Sequence, residues 1–492
     1  LRDFENKEEG NMDISLLIGG AEKQAASGSS YERKNPVTGD IATRAAAAGV
    51  EDAKAAVAAA SAAFPAWAVT GPTQRRTLLL EAARIMESKV GEFTRLMTDE
   101  TGSTAPWAGF NVMLAAGMLR EAAALTTQLT GQIIPSDKPG CLSMAMVRPA
   151  GVVLGIAPWN APVILATRAI ATPLACGNTV ILKASELCPG THQLIGKVLM
   201  EAGLPAGVIN VVTNAPDDAS SIVSALVEAP EVKRINFTGS TRVGRIIAEL
   251  AAKHLKPVLL ELGGKAPLIV LDDADIDAAV NAAAFGAFIN QGQICMSTER
   301  LIVDDSIADQ FVEKLAAKTR ALPAGDPREH VVLGSLVDLS AAEKMDALIA
   351  DAVAKGASLV AGGKRKGSIV EATLLDHVTP AMRIYSEESF GPVKPIIRVG
   401  GEDEAVRIAN DSDYGLSSAV FSRDVTRALG VANRLETAIC HINGPTVNDE
   451  AQIPFGGVKA SGYGRFGGKW GMAEFTETRW ITIEDPHQHY PF

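Results

Sequence analysis

Between residues 152 and 261, short apolar runs rich in β-branched residues alternate with helix-length segments. The runs are Val152-Val153-Leu154-Gly155-Ile156, Thr179-Val180-Ile181-Leu182, Val208-Ile209-Asn210-Val211-Val212, Arg234-Ile235-Asn236-Phe237 and Val258-Leu259-Leu260. They are too uniformly apolar for strands with one wet face. Strands buried on both faces and separated by helices predict parallel βαβ units in a doubly wound α/β sheet. A second βα series follows Gly264. It reads as a strand over 267–271, a helix over 275–291, a strand over 300–303 and a helix over 306–321, and continues through 344–355 and 405–410 to about 442.

At 492 residues the chain is too long for one core. The first hundred residues read as more helical, with Pro72 at a helix start and Gly102 stopping the long pattern over 75–100. Residues 131–149 and 478–484 look extended, and as a two-stranded arm they would leave open edges. Pairing with another subunit is expected there. Residues 1–11 are highly charged and read as a leader or tag-like segment ahead of Met12.

A formal charge of -11 disfavours nucleic acid and anionic membranes as partners. No run of apolar residues is long enough for a membrane span. The cysteines (Cys141, Cys176, Cys188, Cys295, Cys440) are odd in number and lack CxxC spacing, and the histidines form no ligand pattern. Neither a disulfide framework nor a metal site is predicted, and a reducing, cytoplasmic compartment fits.

Five segments carry candidate chemistry. Gln291-Gly292-Gln293-Ile294-Cys295 places a single thiol behind a glycine, after a helical segment. A lone cysteine is most often a small buried hydrophobe. As a nucleophile it would need a thiol pKa lowered by nearby dipoles or positive charge. Glu261-Leu262-Gly263-Gly264-Lys265 puts a carboxylate at a strand end, where it can activate water; in isolation such a glutamate reads as a surface ion-pair partner. Asn160, in Ala157-Pro158-Trp159-Asn160, is either a turn residue or a neutral amide donor for an oxyanion. Phe237-Thr238-Gly239-Ser240-Thr241-Arg242-Val243-Gly244 is a strand–turn–helix whose helix start can receive a diphosphate, while Lys183 and Glu186 stand just beyond a strand's carboxyl end.

Together with Glu388-Ser389-Phe390-Gly391-Pro392, Pro454-Phe455-Gly456-Gly457-Val458-Lys459 and Asn35-Pro36-Val37-Thr38-Gly39, these ordered segments resemble the aldehyde dehydrogenase superfamily over residues 16–492. The resemblance implies two doubly wound α/β domains with a small β oligomerisation arm. A Rossmann-like NAD-binding domain would span 12–130 and 150–262, a catalytic domain 263–462, and the arm 131–149 and 476–492. It implies Cys295 as nucleophile, Glu261 as the base that hydrolyses the thioester, and Asn160 with the Cys295 amide as the oxyanion site. Glutamate at position 261 favours water over coenzyme A as the acyl acceptor. NAD would lie against Ile156, Pro158, Trp159, Lys183, Ser185, Glu186, Gly239, Ser240, Gly244, Leu262, Glu388 and Phe390. Glu186 would repel a 2′-phosphate, so NAD is expected over NADP. A homodimer or homotetramer is expected.

The segments 441–447 and 462–468, with Trp107-Ala108-Gly109-Phe110-Asn111, resemble the aromatic-aldehyde branch. Trp107, Ile289, Ile294, Met296 and Phe455 would form an apolar slot for a flat ring, although each also reads as ordinary core. Arg168, in an apolar segment about two helical turns past Asn160, would face the slot and bind a ring hydroxyl, phenolate or carboxylate. Two other readings stay open. One is a dicarboxylic semialdehyde dehydrogenase, in which Arg168 grips a carboxylate. The other is an inactive structural NAD-binding protein.

Overall fold

A computed structural model describes residues 12–492, so the expectation for residues 1–11 lies outside the described residues. The apolar runs form the centre of an eight-stranded sheet. Its order is Gly462–Tyr463, Val258–Glu261, Val232–Thr238, Val152–Ile156, Thr179–Lys183, Ile209–Val212, Leu16–Ile18, Ala21–Lys23. The five central strands are parallel, and the edge strands pair antiparallel. Val152–Ile156, the first of the five in the chain, lies between the fourth and the second. The order therefore reverses between Val152–Ile156 and Val232–Thr238, the place where nucleotides bind in open α/β sheets. In register, Ile156 lies beside Phe237 and Lys183, and Thr238 beside Glu261, so the predicted site residues share one carboxyl edge.

The second series builds a seven-stranded sheet in the order Ser358–Ala361, Thr373–Asp376, Val393–Val399, Arg300–Asp304, Pro267–Val270, Ser417–Phe421, Ile439–Ile442. All neighbours in it are parallel except the first pair. Cys295, Gly264 and Glu388 each lie just before one of these strands. They therefore gather at the amino edge of the second sheet, against the carboxyl edge of the first.

The first hundred residues are mainly helical, in Val50–Ala68, Pro72–Ser88 and Val90–Thr101, but five short strands precede Ala47; runs as short as Leu16–Ile18 are too brief to show a period yet lie fully buried. The structure corrects three other expectations. The pattern over 75–100 is two helices, Pro72–Ser88 and Val90–Thr101, with Gly102 closing the second at φ 72°. The helix expected over 275–291 ends at Phe288, where Asn290 and Gln291 turn left-handed at φ 47° and 54°. The arm has three strands: Leu142–Pro149 pairs antiparallel with Thr476–Ile483 on one side and Gln132–Ile134 on the other. Elsewhere a buried acid fixes a helix end. Glu100 accepts hydrogen bonds from the Gly190 and Thr191 amides at the start of Pro189–Glu201, and from the Thr43 and Thr191 hydroxyls. Among the described residues no helix is long and apolar enough to cross a membrane.

Candidate active site

The loop that carries Cys295 is held by amides. Two consecutive non-glycine residues with left-handed backbone, Asn290 and Gln291, swing the chain out of helix Ile276–Phe288. Such conformations are strained and persist where their surroundings fix them. Gln291 Nε2 donates to the Ser335 carbonyl at 2.9 Å, and Asn290 Nδ2 to the Asn160 carbonyl at 2.9 Å. Asn160 Nδ2 in turn donates to the Gln293 carbonyl at 3.0 Å, and Gln293 Oε1 accepts from the Val337 amide at 3.0 Å. The Asn160 carbonyl also accepts from Trp107 Nε1 at 3.2 Å. Asn160 is thus tied to the backbone two residues before Cys295. Gly264 permits the close approach: a Cβ there would lie 2.3 Å from the Cys295 carbonyl oxygen.

Glu261 ends its strand fully buried, and among the described residues neither carboxylate oxygen has a hydrogen-bond partner. Burial raises its pKa to about 7, and the neighbouring Cys295 thiol and the Arg168 charge pull it back only partway. The Cys295 thiol is itself pushed well above its ordinary range, by burial and then by the Glu261 carboxylate. The Arg168 charge pulls the thiol back only partway.

The predicted cofactor positions divide into groups. Lys183 pairs with Glu186, whose Oε1 also accepts from Asn214 Nδ2 at 3.0 Å. Behind them His192 Nδ1 accepts from the Ser185 amide at 3.1 Å, and burial pushes this imidazole down to about 3, keeping it neutral. Ser240 caps helix Thr241–Lys253. Gly244 lies on that helix, where a Cβ would stand 2.5 Å from Leu262; the pair serves close helix–strand packing. A Cβ on Gly239 would meet the Phe237 ring at 2.5 Å. Glu388 Oε1 accepts from the Gly264 amide at 2.8 Å, and burial raises this carboxyl to about 7. Phe390, left-handed at φ 51°, meets Trp159 edge-to-face at 5.7 Å. Pro158 is half-buried beside Trp159, and Ile156 is buried at its strand end.

A cavity of about 830 Å³ reaches Cys295 and Asn160, and Trp107, Arg168, Ile289, Ile294, Met296 and Phe455 all line it. Sequence reasoning missed Phe110, which stacks on Trp107 at 5.5 Å, as well as Leu165, Phe285, Phe288 and Asp449. Glu261 is absent from this lining and meets the thiol by interaction alone. Arg168 is already committed. It forms a buried salt bridge with Asp449, and its guanidinium lies over the Phe455 ring at 4.1 Å. No local sequence signal announces a pair 281 positions apart.

Sequence reasoning also missed a buried charge cluster. Glu299 accepts from Lys265 Nζ and Lys394 Nζ, both at 2.7 Å, and from the Ser389 amide at 2.8 Å and hydroxyl at 2.5 Å. It thereby anchors the segment that carries Glu388 and Phe390. The lysines hold its carboxyl down to about 2 despite burial.

Comparison with known proteins gives a consistent match. The pattern of the aldehyde dehydrogenase family matches residues 23–481. A vanillin dehydrogenase of Pseudomonas fluorescens is 63% identical, over 98% of this chain and 100% of that protein. A salicylaldehyde dehydrogenase of Pseudomonas putida is 54% identical, over 98% and 100%. The crystal structure of a salicylaldehyde dehydrogenase from Pseudomonas putida G7, complexed with salicylaldehyde, superposes with a TM-score of 0.96 at 53% identity, covering 98% of this chain and 100% of that one.

Proposed function

Since the chain belongs to the aldehyde dehydrogenase family, we propose that it oxidises an aromatic aldehyde to the carboxylic acid with NAD, through a thioester on Cys295. The observation that carries this reading is the meeting of the Cys295 thiol, the Asn160 amide and the Glu261 carboxylate beside a cavity walled by Trp107, Phe110 and Phe455.

The Cys295 sulfur loses its proton to water and bonds to the aldehyde carbon, whose carbonyl π pair moves onto oxygen. The new oxyanion is held by Asn160 Nδ2 and the Cys295 amide, donors that need no reorganisation as charge develops. Bound NAD would supply a hydride acceptor and a positive charge. Glu261 then takes a proton from water, the hydroxide bonds to the thioester carbon, the carbon–sulfur bond breaks, and the acid is released. A carboxyl whose pKa is about 7 suits that step at neutral pH.

The residues present fit the cofactor. Lys183, Glu186 and Asn214 would hold the adenosine ribose, where the Glu186 carboxylate disfavours a 2′-phosphate and so NADP. The glycine turn at Gly239 and the start of helix Thr241–Lys253 would take the diphosphate. Glu388 would take the nicotinamide ribose, with Phe390 and Trp159 flanking the ring.

The commitment of Arg168 to Asp449 weighs against a substrate carboxylate and so against a dicarboxylic semialdehyde. The test is initial NADH formation without coenzyme A, with para-hydroxybenzaldehyde and succinic semialdehyde at equal low concentration. Faster aromatic oxidation is expected, and faster semialdehyde oxidation would overturn the substrate assignment. Five free cysteines support a reducing compartment, the cytoplasm. The apolar arm supports a homodimer or homotetramer.

A further inference from the structure

Two buried carboxylates that lie away from the cavity, Glu100 and Glu299, are saturated. Each accepts four hydrogen bonds from protein donors. Asp449 is different. Its side chain is 9% exposed, its Oδ2 accepts from Arg168 Nη2, and its Oδ1 is buried without a hydrogen-bond partner among the described residues. A buried acceptor left without a donor carries a desolvation cost that a ligand can relieve. Both residues lie in the wall of the cavity that reaches Cys295. The rest of that wall is largely aromatic and aliphatic, and Phe455 covers the guanidinium face.

We propose that Asp449 is a specificity residue that accepts a hydrogen bond from a hydroxyl on the substrate ring, and that by neutralising Arg168 it turns ring carboxylates away. This rests on the reading of the cavity as an aromatic-aldehyde site. A phenol brings the donor that Oδ1 lacks, and a bond from a neutral hydroxyl to a carboxylate is charge-assisted. A carboxylate brings only acceptors and a second negative charge beside Asp449. A pocket that hydrogen-bonds a hydroxyl rejects the analogue lacking it, because its own polar atom is then left unpaired.

The experiment compares kcat/KM for ortho-, meta- and para-hydroxybenzaldehyde with their methyl twins, at a pH where the phenols are un-ionised. Methyl and hydroxyl are close in size, and apolar walls alone would favour methyl. The wild-type enzyme should prefer at least one hydroxy isomer by about tenfold or more. In Asp449→Asn the amide oxygen is drawn to Arg168, leaving Nδ2 as a donor. The hydroxy-over-methyl ratio should therefore fall toward one, and carboxybenzaldehydes should improve relative to benzaldehyde. A wild-type ratio near one or below at every ring position overturns the proposal, whether or not the variant folds, and so does an unchanged ratio in soluble Asp449→Asn. If benzaldehyde itself is not oxidised, it is the aromatic reading that fails.

Discussion

At the scale of single residues, the pairing of Glu261 with Cys295 decides the pH behaviour. Burial places the Glu261 pKa at about 7, and only the deprotonated form accepts a proton from water. Thioester hydrolysis should therefore rise with pH through about 7, falling close to tenfold per unit on the acid side. A pH profile of steady-state turnover checks this, and an ascending limb centred near the ordinary glutamate value, about 4.3, would contradict it. Glu261→Gln keeps the shape and removes the base. It should give a burst of NADH matching the enzyme concentration, then steady turnover slowed by about 10²-fold or more. Stopped-flow absorbance separates the phases; loss of the burst as well would mean that Glu261 acts before the thioester forms.

At the scale of elements, the Glu299 cluster fixes the segment that leads into strand Val393–Val399. Two buried lysines share one carboxylate, so Glu299→Gln strands both charges, and breaking a buried pair costs about 3–5 kcal/mol. Urea unfolding should show that loss together with a raised KM for NAD, since Ser389 would be freed beside Glu388. An unchanged midpoint would refute the role. Because the folded-state pKa is depressed to about 2, the contribution of Glu299 is fully present above its unfolded value, about 4.3, and is lost as pH falls toward 2. This cluster also marks where sequence reading stops. The apolar strand runs were legible because burial on both faces leaves a plain signature. The Cys295, Glu261 and Asn160 segments stood out through their resemblance to the aldehyde dehydrogenase family, since alone each reads as a core thiol, a surface acid or a turn residue. Strands of three residues are shorter than any period, and partners such as Arg168 and Asp449 are joined only by the tertiary fold.

At the scale of the whole molecule, the arm is the outlier. Ile133 is 76% exposed and Trp480 73%, on a three-stranded sheet whose outer edge at Gln132–Ile134 is unpaired among the described residues. An apolar surface with an open edge of this kind is normally covered. Light scattering on the eluting protein should give a mass at least twice that of the chain, and Ile133→Asp should shift it to smaller species. A wild-type monomer would sink the assignment.

Strand Val258–Glu261 owes its outer neighbour, Gly462–Tyr463, to a stretch of chain some two hundred positions further on. On a ribosome, where early segments emerge and begin to fold first, everything needed to shape the central parallel strands is out long before that neighbour arrives. The strand bearing the carboxylate must wait with a bare flank through the synthesis of the entire second sheet. A message cut short before residue 462 would thus yield a chain holding every candidate catalytic group yet unable to close the side of the sheet on which Glu261 sits.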